Sequence, residues 1–125
     1  HADVVASVVP DHPNTRIGFN LKRLKQMKSS SVFLNFGRGS VTDEEALSHC
    51  LMKGMIGGAV IDVTNQEPLP HDHAFWKSPR TIITQHSAGG TEDEISKKIS
   101  WFSKNLKHFI KGENLISTVD FELGF

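Results

Sequence analysis

Val32-Phe33-Leu34-Asn35-Phe36-Gly37-Arg38, followed by Gly39 and Ser40, decides how the rest of the chain is read. A short apolar run stops abruptly at Gly37-Arg38-Gly39. An apolar run of this length closed by a turn signal fits a buried strand, and this one delivers an arginine to the rim of a sheet. Two other stretches have the same build. Residues 59–62 lead into Asn65-Gln66-Glu67-Pro68, and residues 81–84 lead into Gln85-His86-Ser87-Ala88. An Arg, a Glu and a His therefore each fall just past the C-terminal end of a predicted strand. In open α/β sheets that edge is where ligands bind.

Working outward from this stretch, residues 4–9 are β-branched and apolar and are closed by Pro10. They read as a strand buried on both faces, as in a parallel sheet. Asn20 is placed to cap a helix from Leu21 to about Met27. Thr42-Asp43-Glu44-Glu45 has the spacing of a capping box, with Thr42 as N-cap and Glu45 reaching back. The helix that follows runs to about Lys53 and stops at Gly54, with Ala46, Leu47, Cys50 and Leu51 facing the sheet. Residues 57–62 and 81–84 are strands, and residues 73–76 between them make one helical turn. Thr91-Glu92-Asp93-Glu94 repeats the capping-box pattern. Ile95, Ile99, Phe102, Leu106, Phe109 and Ile110 then recur at steps of three and four, the pattern of a long amphipathic helix ending at Gly112. Residues 115–119 read as a short strand. Strands alternating with helices predict an α/β fold with a parallel sheet and right-handed crossovers.

Composition narrows the function classes. Hydrophobic residues make up 38% of the 125 and charged residues 22%, enough for a core. Lys plus Arg equals Asp plus Glu at 14 each, which offers neither a basic footprint for nucleic acid nor a polybasic membrane signal. No apolar run approaches the roughly 20 residues of a membrane span. Cys50 is the single cysteine, so a reducing, cytoplasmic setting is expected. The chain lacks an initial Met and enters a strand almost at once, so it reads as a piece of a longer protein.

The chemistry of the strand-end residues is suggestive. Arg38 carries a planar fork of donors that suits a carboxylate or phosphate. His86 exchanges protons near neutral pH. A Glu67 carboxylate bonded to His86 would fix its tautomer and favour the imidazolium. Together they would hold an anionic substrate and move a proton to or from it. Each also has a plain structural reading: a surface ion pair or helix cap for Arg38, a satisfied structural histidine for His86, a loop carboxylate for Glu67. His71 and His73 have no further ligand at zinc-site spacing and read as a solvated loop. Trp76 and Trp101 read as packing residues, and Cys50 as a buried inert thiol. Neither a G-x-G-x-x-G nor a P-loop motif is present in these residues.

At this point the spacing matches a known pattern. The run from Asn35 through Arg38-Gly39 to Asp43-Glu44-Glu45-Ala46-Leu47 resembles the N-x-x-R-G-x-x-V-D-E-x-A-L signature of D-isomer-specific 2-hydroxyacid dehydrogenases. Gly58-Ala59-Val60-Ile61-Asp62-Val63 followed by Glu67-Pro68-Leu69-Pro70 resembles that family's second signature, and Ile83-Thr84-Gln85-His86-Ser87-Ala88-Gly89 resembles the block with its catalytic His. Asp3-Val4-Val5 through Pro10 to Asn14-Thr15-Arg16 is similar to the strand and loop before them. The resemblance covers roughly residues 3–111.

The resemblance implies hydride transfer between NAD or NADP and a small 2-oxo acid. It makes His86 the acid/base, Glu67 its partner and Arg38 the holder of the substrate carboxylate, with Arg38 and His86 also touching the cofactor. It implies that Asp62 lies near the nicotinamide carboxamide, that Phe36, Gly37, Ser87, Ala88 and Gly89 line the nicotinamide, and that Val9, Pro10 and Thr15 line the adenosine side. It places residues 1–90 in the C-terminal half of a Rossmann-like doubly wound domain, and 91–125 in a helix and tail returning to a substrate domain. The parent is expected to be a homodimer, without nucleic-acid or membrane partners, and the isolated chain to be inactive. Gln85 and Thr64 stand where the family usually has Pro and an aromatic residue, which bears on substrate preference. The loop at 67–70 with Phe75-Trp76 looks most like the glyoxylate/hydroxypyruvate reductase branch. A second reading is an NAD(H)-sensing, corepressor-type relative without turnover.

Overall fold

In a computed structural model, which describes residues 2–122, the apolar runs pair in parallel and in chain order. The strands are β1 (Val4–Ser7), β2 (Val32–Asn35), β3 (Gly58–Ile61) and β4 (Thr81–Ile83). Ser7 pairs with Asn35, Asn35 with Ile61, and Ile61 with Ile83, so the C-terminal ends are level. This register brings the segments carrying Arg38, Glu67 and His86 out at one edge of the sheet. The α/β, Rossmann-like fold expected from the sequence is present.

The core lies on one face of the sheet. Phe33, Ala59 and Ile61 point into a cluster with Leu24, Leu47, Cys50, Leu51, Ile56 and Phe75. Residues of alternate parity face the other way: Val4, Ala6 and Ile82 are exposed, and Val32, Leu34 and Val60 are half-buried. The expectation that the first strand is buried on both faces is therefore corrected. Among the described residues β1 lies at the edge of the sheet and pairs with β2 alone, and its extended pairing ends at Ser7, leaving Val8 and Val9 exposed.

The helices adjust their predicted ends for identifiable reasons. Asn20 caps α1 (Leu21–Leu24), its side chain accepting from Arg23 N at 3.2 Å. The helix is a single turn, because Gln26 N and Met27 N bond to Arg23 O and Leu24 O in the tighter 3₁₀ pattern. A 3₁₀ turn at Gly39–Val41 precedes α2 (Glu44–Met52). The N-cap of α2 is Asp43, whose carboxylate accepts from Ala46 N at 2.9 Å, and not Thr42. Thr42 is held extended by its bridge to Phe19, and its buried hydroxyl accepts from Asn35 Nδ2 at 3.2 Å. Gly54, at φ 64°, ends the helix as predicted. A 3₁₀ turn at Ala74–Lys77 supplies buried Phe75 to the core.

Residues divide into two compact units, His1–Ala88 and Gly89–Phe125. In the second, α3 (Glu94–Lys111) ends at Gly112 in the left-handed conformation and has no buried residue. Its predicted capping box forms only in half: the Glu94 carboxylate, paired with Lys98, also reaches back to the Thr91 N–H, but Thr91 Oγ1 donates to Asp93 Oδ1 and does not cap the helix. Residues 115–119 form no strand. The Asn105 amide instead pairs with the Ile116 backbone, donating to its carbonyl at 3.0 Å and accepting from its N–H at 2.8 Å. The chain bends at residues 116–117, where Ser117 takes a left-handed φ of 55° that no strand accommodates. His1 and the last residues of the 91–125 segment, 123–125, lie outside the described residues.

Candidate active site

The loop after β4 is suspended from one buried carboxylate. Asp62, the residue after β3, is 4% exposed. It accepts from Ser87 N and Ala88 N, each at 2.9 Å, and from the Thr84 hydroxyl. Burial by itself would raise this carboxyl. The hydrogen bonds from Thr84, Ala88 and Ser87, with the charge of His86, outweigh it and hold the carboxyl below its ordinary value. Between the donors, His86 takes φ 56°, a left-handed conformation that turns the chain back at the rim.

His86 meets Glu67 at this rim. Its Nδ1 lies 2.8 Å from Glu67 Oε2, and Glu67 Oε1 accepts from Thr64 N at 3.0 Å. The bond to His86, then the Thr64 N–H, lowers the Glu67 carboxyl below its usual value. An ionised Glu67 accepting at Nδ1 leaves Nε2 as the ring nitrogen without that partner. The pair opens on a cavity of about 660 Å³ lined by Thr64, Leu69, Trp76 and Gln85 among others. Trp76 is therefore not simply a packing residue. The 3₁₀ turn sends Phe75 inward and Trp76 out, and the indole N–H is pinned to Pro70 O at 2.7 Å.

Arg38 stands at the neighbouring strand end and does not line that cavity. It is exposed, with Nη1 donating to Gly37 O at 2.8 Å. Its turn is held from within by Asn35, whose side chain donates to Arg38 O at 3.1 Å and accepts from Gly37 N at 3.2 Å. The two loops touch at Gly39. A Cβ there would overlap Thr64 carbonyl atoms and Asn65 N. Sequence reasoning missed the supporting roles of Asn35 and Gly39. A polar Asn ending an apolar strand was the available signal, because a buried amide must find partners.

The remaining implied residues fall as follows. Val9, Pro10 and Phe36 are exposed at the β1 and β2 ends, with Gly37 packed against the Val9 backbone. Thr15 closes the preceding loop, its hydroxyl lying 2.7 Å from Pro10 O. Ala88 is exposed, with its N–H given to Asp62. Gly89 opens the second unit. An open apolar rim at Val9 and Phe36, with no side chain at Gly37, fits the flat rings of a dinucleotide, whereas a Gly-rich phosphate turn is not within these residues.

Other candidates resolve differently. Among the described residues, no His, Cys, Asp or Glu group of three or more is arranged to hold a metal. His73 is not a solvated loop residue. Its Nδ1 accepts from Phe75 N at 3.2 Å and its Nε2 lies 3.4 Å from Glu44 Oε2. Cys50 is fully buried, which pushes its thiol pKa up. No described helix is long and apolar enough to cross a membrane.

Comparison with known proteins follows the same lines. Residues 1–88 match the family described as "D-isomer specific 2-hydroxyacid dehydrogenase, NAD binding domain". The chain is 38% identical over 122 residues to glyoxylate/hydroxypyruvate reductase A of Photorhabdus laumondii, covering 98% of this chain and 38% of that protein. It is 36% identical over 112 residues to a glyoxylate reductase of Thermofilum pendens, covering 90% and 33%. The chain thus spans well under half the length of these relatives. Among solved structures, a D-isomer specific 2-hydroxyacid dehydrogenase from Xanthobacter autotrophicus Py2, in complex with NADPH and MES, superposes with a TM-score of 0.90 at 30% identity, over 99% of this chain and 50% of that one. An NADPH-dependent glyoxylate/hydroxypyruvate reductase from Sinorhizobium meliloti, with NADP and sulfate, gives 0.89 at 29% identity, over 98% and 40%.

Proposed function

Because this chain belongs to the D-isomer-specific 2-hydroxyacid dehydrogenase family, with residues 1–88 matching its NAD-binding domain, we propose that it carries the acid/base half of a hydride-transfer site. The substrate is a small 2-oxo acid of the glyoxylate or hydroxypyruvate type. The observation that carries this reading is the 2.8 Å approach of His86 Nδ1 to Glu67 Oε2. When bound, the reduced cofactor, NADH or NADPH, supplies the hydride and is left as NAD or NADP. His86 delivers a proton from Nε2 to the carbonyl oxygen of the 2-oxo acid, giving the 2-hydroxy acid. Glu67 orients the ring and stabilises its protonated form. Arg38 leaves Gly37 O to take the substrate carboxylate in a two-pronged bond. Phe36, Gly37, Val9, Pro10 and Thr15 hold the cofactor at the β1 and β2 ends, with Ala88 and Gly89 after His86. Asp62 acts on this cofactor through the loop it suspends.

On this reading, residues 1–90 are the C-terminal half of the dinucleotide-binding domain and 91–125 return to a substrate domain, in a homodimeric cytoplasmic enzyme. The length of its relatives supports assigning turnover to a longer polypeptide. The test is NADH and NADPH oxidation against a panel of 2-oxo acids, run on the 125 residues and on a polypeptide extending them to the length of the relatives. Turnover by the longer form alone is expected. Tight NADH binding by that form without turnover of any 2-oxo acid would replace this reading with the sensing one.

A further inference from the structure

Glu67 is on a loop, and loops do not hold a carboxylate against a histidine unaided. The loop's own contribution is two bonds, Thr64 N–H to Glu67 Oε1 and the Thr64 hydroxyl to Gln66 O at 2.8 Å, both made within the loop and neither anchoring it to another element. The next amide along points away from Glu67 to a different element. Asn65 N donates to Glu44 Oε1 at 2.7 Å, a short charge-assisted bond across to the first residue of α2. Glu44 Oε2 lies 3.4 Å from His73 Nε2. The tautomer of His73 is set by its own cap: Nδ1 accepts from Phe75 N, so a neutral ring carries its proton on Nε2, toward Glu44. Beneath the same two loop residues lies Gly39, with no room for a side chain.

A glutamate in the first turn of a helix is favourable for any helix, through the dipole. That explanation covers Glu45, which is exposed. It does not explain why the Glu44 side chain is only 12% exposed and faces a His73 side chain only 23% exposed. We propose that Glu44 is a positioning residue for the site: held by His73 and bonded to the Asn65 amide, it latches the 64–67 loop onto α2 so that Glu67 meets His86. The inference deepens the reading above, since the latch acts through the His86–Glu67 pair. It is tested without turnover, so the two can fail separately.

The test reads the His86 ring in the ¹⁵N-labelled chain at alkaline pH, where long-range ¹H–¹⁵N correlations distinguish the Nδ1–H tautomer from the Nε2–H tautomer. Wild type should hold His86 mainly as Nδ1–H, facing Glu67. Glu44→Ala should lose that preference and drift toward the Nε2–H form of a free imidazole, while β2 and β3 amide resonances stay in place. Glu44→Gln, which keeps an acceptor for Asn65 N–H, should retain it. Should Glu44→Ala fail to fold, Glu44→Asp keeps the helix charge but withdraws the acceptor, and the same loss is expected. Unchanged Nδ1–H preference in a folded Ala or Asp variant whose Asn65 amide resonance has moved would overturn the proposal. A wild-type ring already in the Nε2–H form would overturn the pairing itself.

Discussion

Gly39 carries the backbone of Thr64 directly on its α-carbon, with no space for a side chain between them. The turn bearing Arg38 and the loop bearing Glu67 are thus one packed unit. Gly39→Ala would force the two loops apart. Overpacking of this kind costs about 1–3 kcal/mol, and urea unfolding should show the unfolding free energy falling by that amount, with the midpoint moving to lower urea.

Asp62 joins the β3 end to the His86 loop through Ser87 and Ala88. Asp62→Asn replaces an acceptor with an amide donor facing backbone N–H groups, at a cost of about 1–3 kcal/mol. The dependence on pH has a definite sign. A carboxyl lowered in the folded state contributes stability above its unfolded value, and loses that contribution as pH falls through the folded one. The stability gap between wild type and Asp62→Asn should be full at neutral pH. It should shrink as pH falls below the ordinary value of 3.8. Urea unfolding across an acid pH series measures it.

His86 presents Nε2 as the free ring nitrogen when Nδ1 is given to Glu67. His86→Gln in the turnover-competent polypeptide should lower kcat by about 10²–10⁴-fold, the range for a general acid/base. Cofactor affinity should fall far less, since His86 is one of several residues expected to touch the cofactor. Steady-state kinetics and NADH titration separate the two effects, and an unaltered kcat would remove His86 from proton transfer.

Cys50 is fully buried in the main core and its thiol pKa is raised by burial. A thiol without thiolate character reacts slowly. The native chain should resist a colourimetric thiol reagent at neutral pH, and denaturant should release one equivalent per chain.

Asn105 holds Ile116 by two hydrogen bonds. Asn105→Ala should free this segment. With each bond contributing about 1 kcal/mol net, amide exchange at Ile116 should accelerate roughly thirtyfold. Exchange within the His1–Ala88 unit should not change.

Local pattern was enough to read the order of strands and helices, the parallel sheet, and the arrival of Arg38, Glu67 and His86 at one edge. Apolar periodicity and glycine stops act over a few residues, and the in-register strand ends follow from them. The amino-acid sequence also carried the family likeness, because its motifs sit at those same strand ends. What only the tertiary structure decided involves residues far apart in the chain. Thr42 yielded the cap to Asp43 because Phe19 and Asn35 claimed it. β1 stayed open on one face because the buried cluster lies on the other. His86 met Glu67 because Asp62 holds one loop while Gly39 and Glu44 hold the other. Each of these outcomes is a competition for hydrogen bonds or space among groups that meet only after the chain has folded, and no local spacing encodes which group wins.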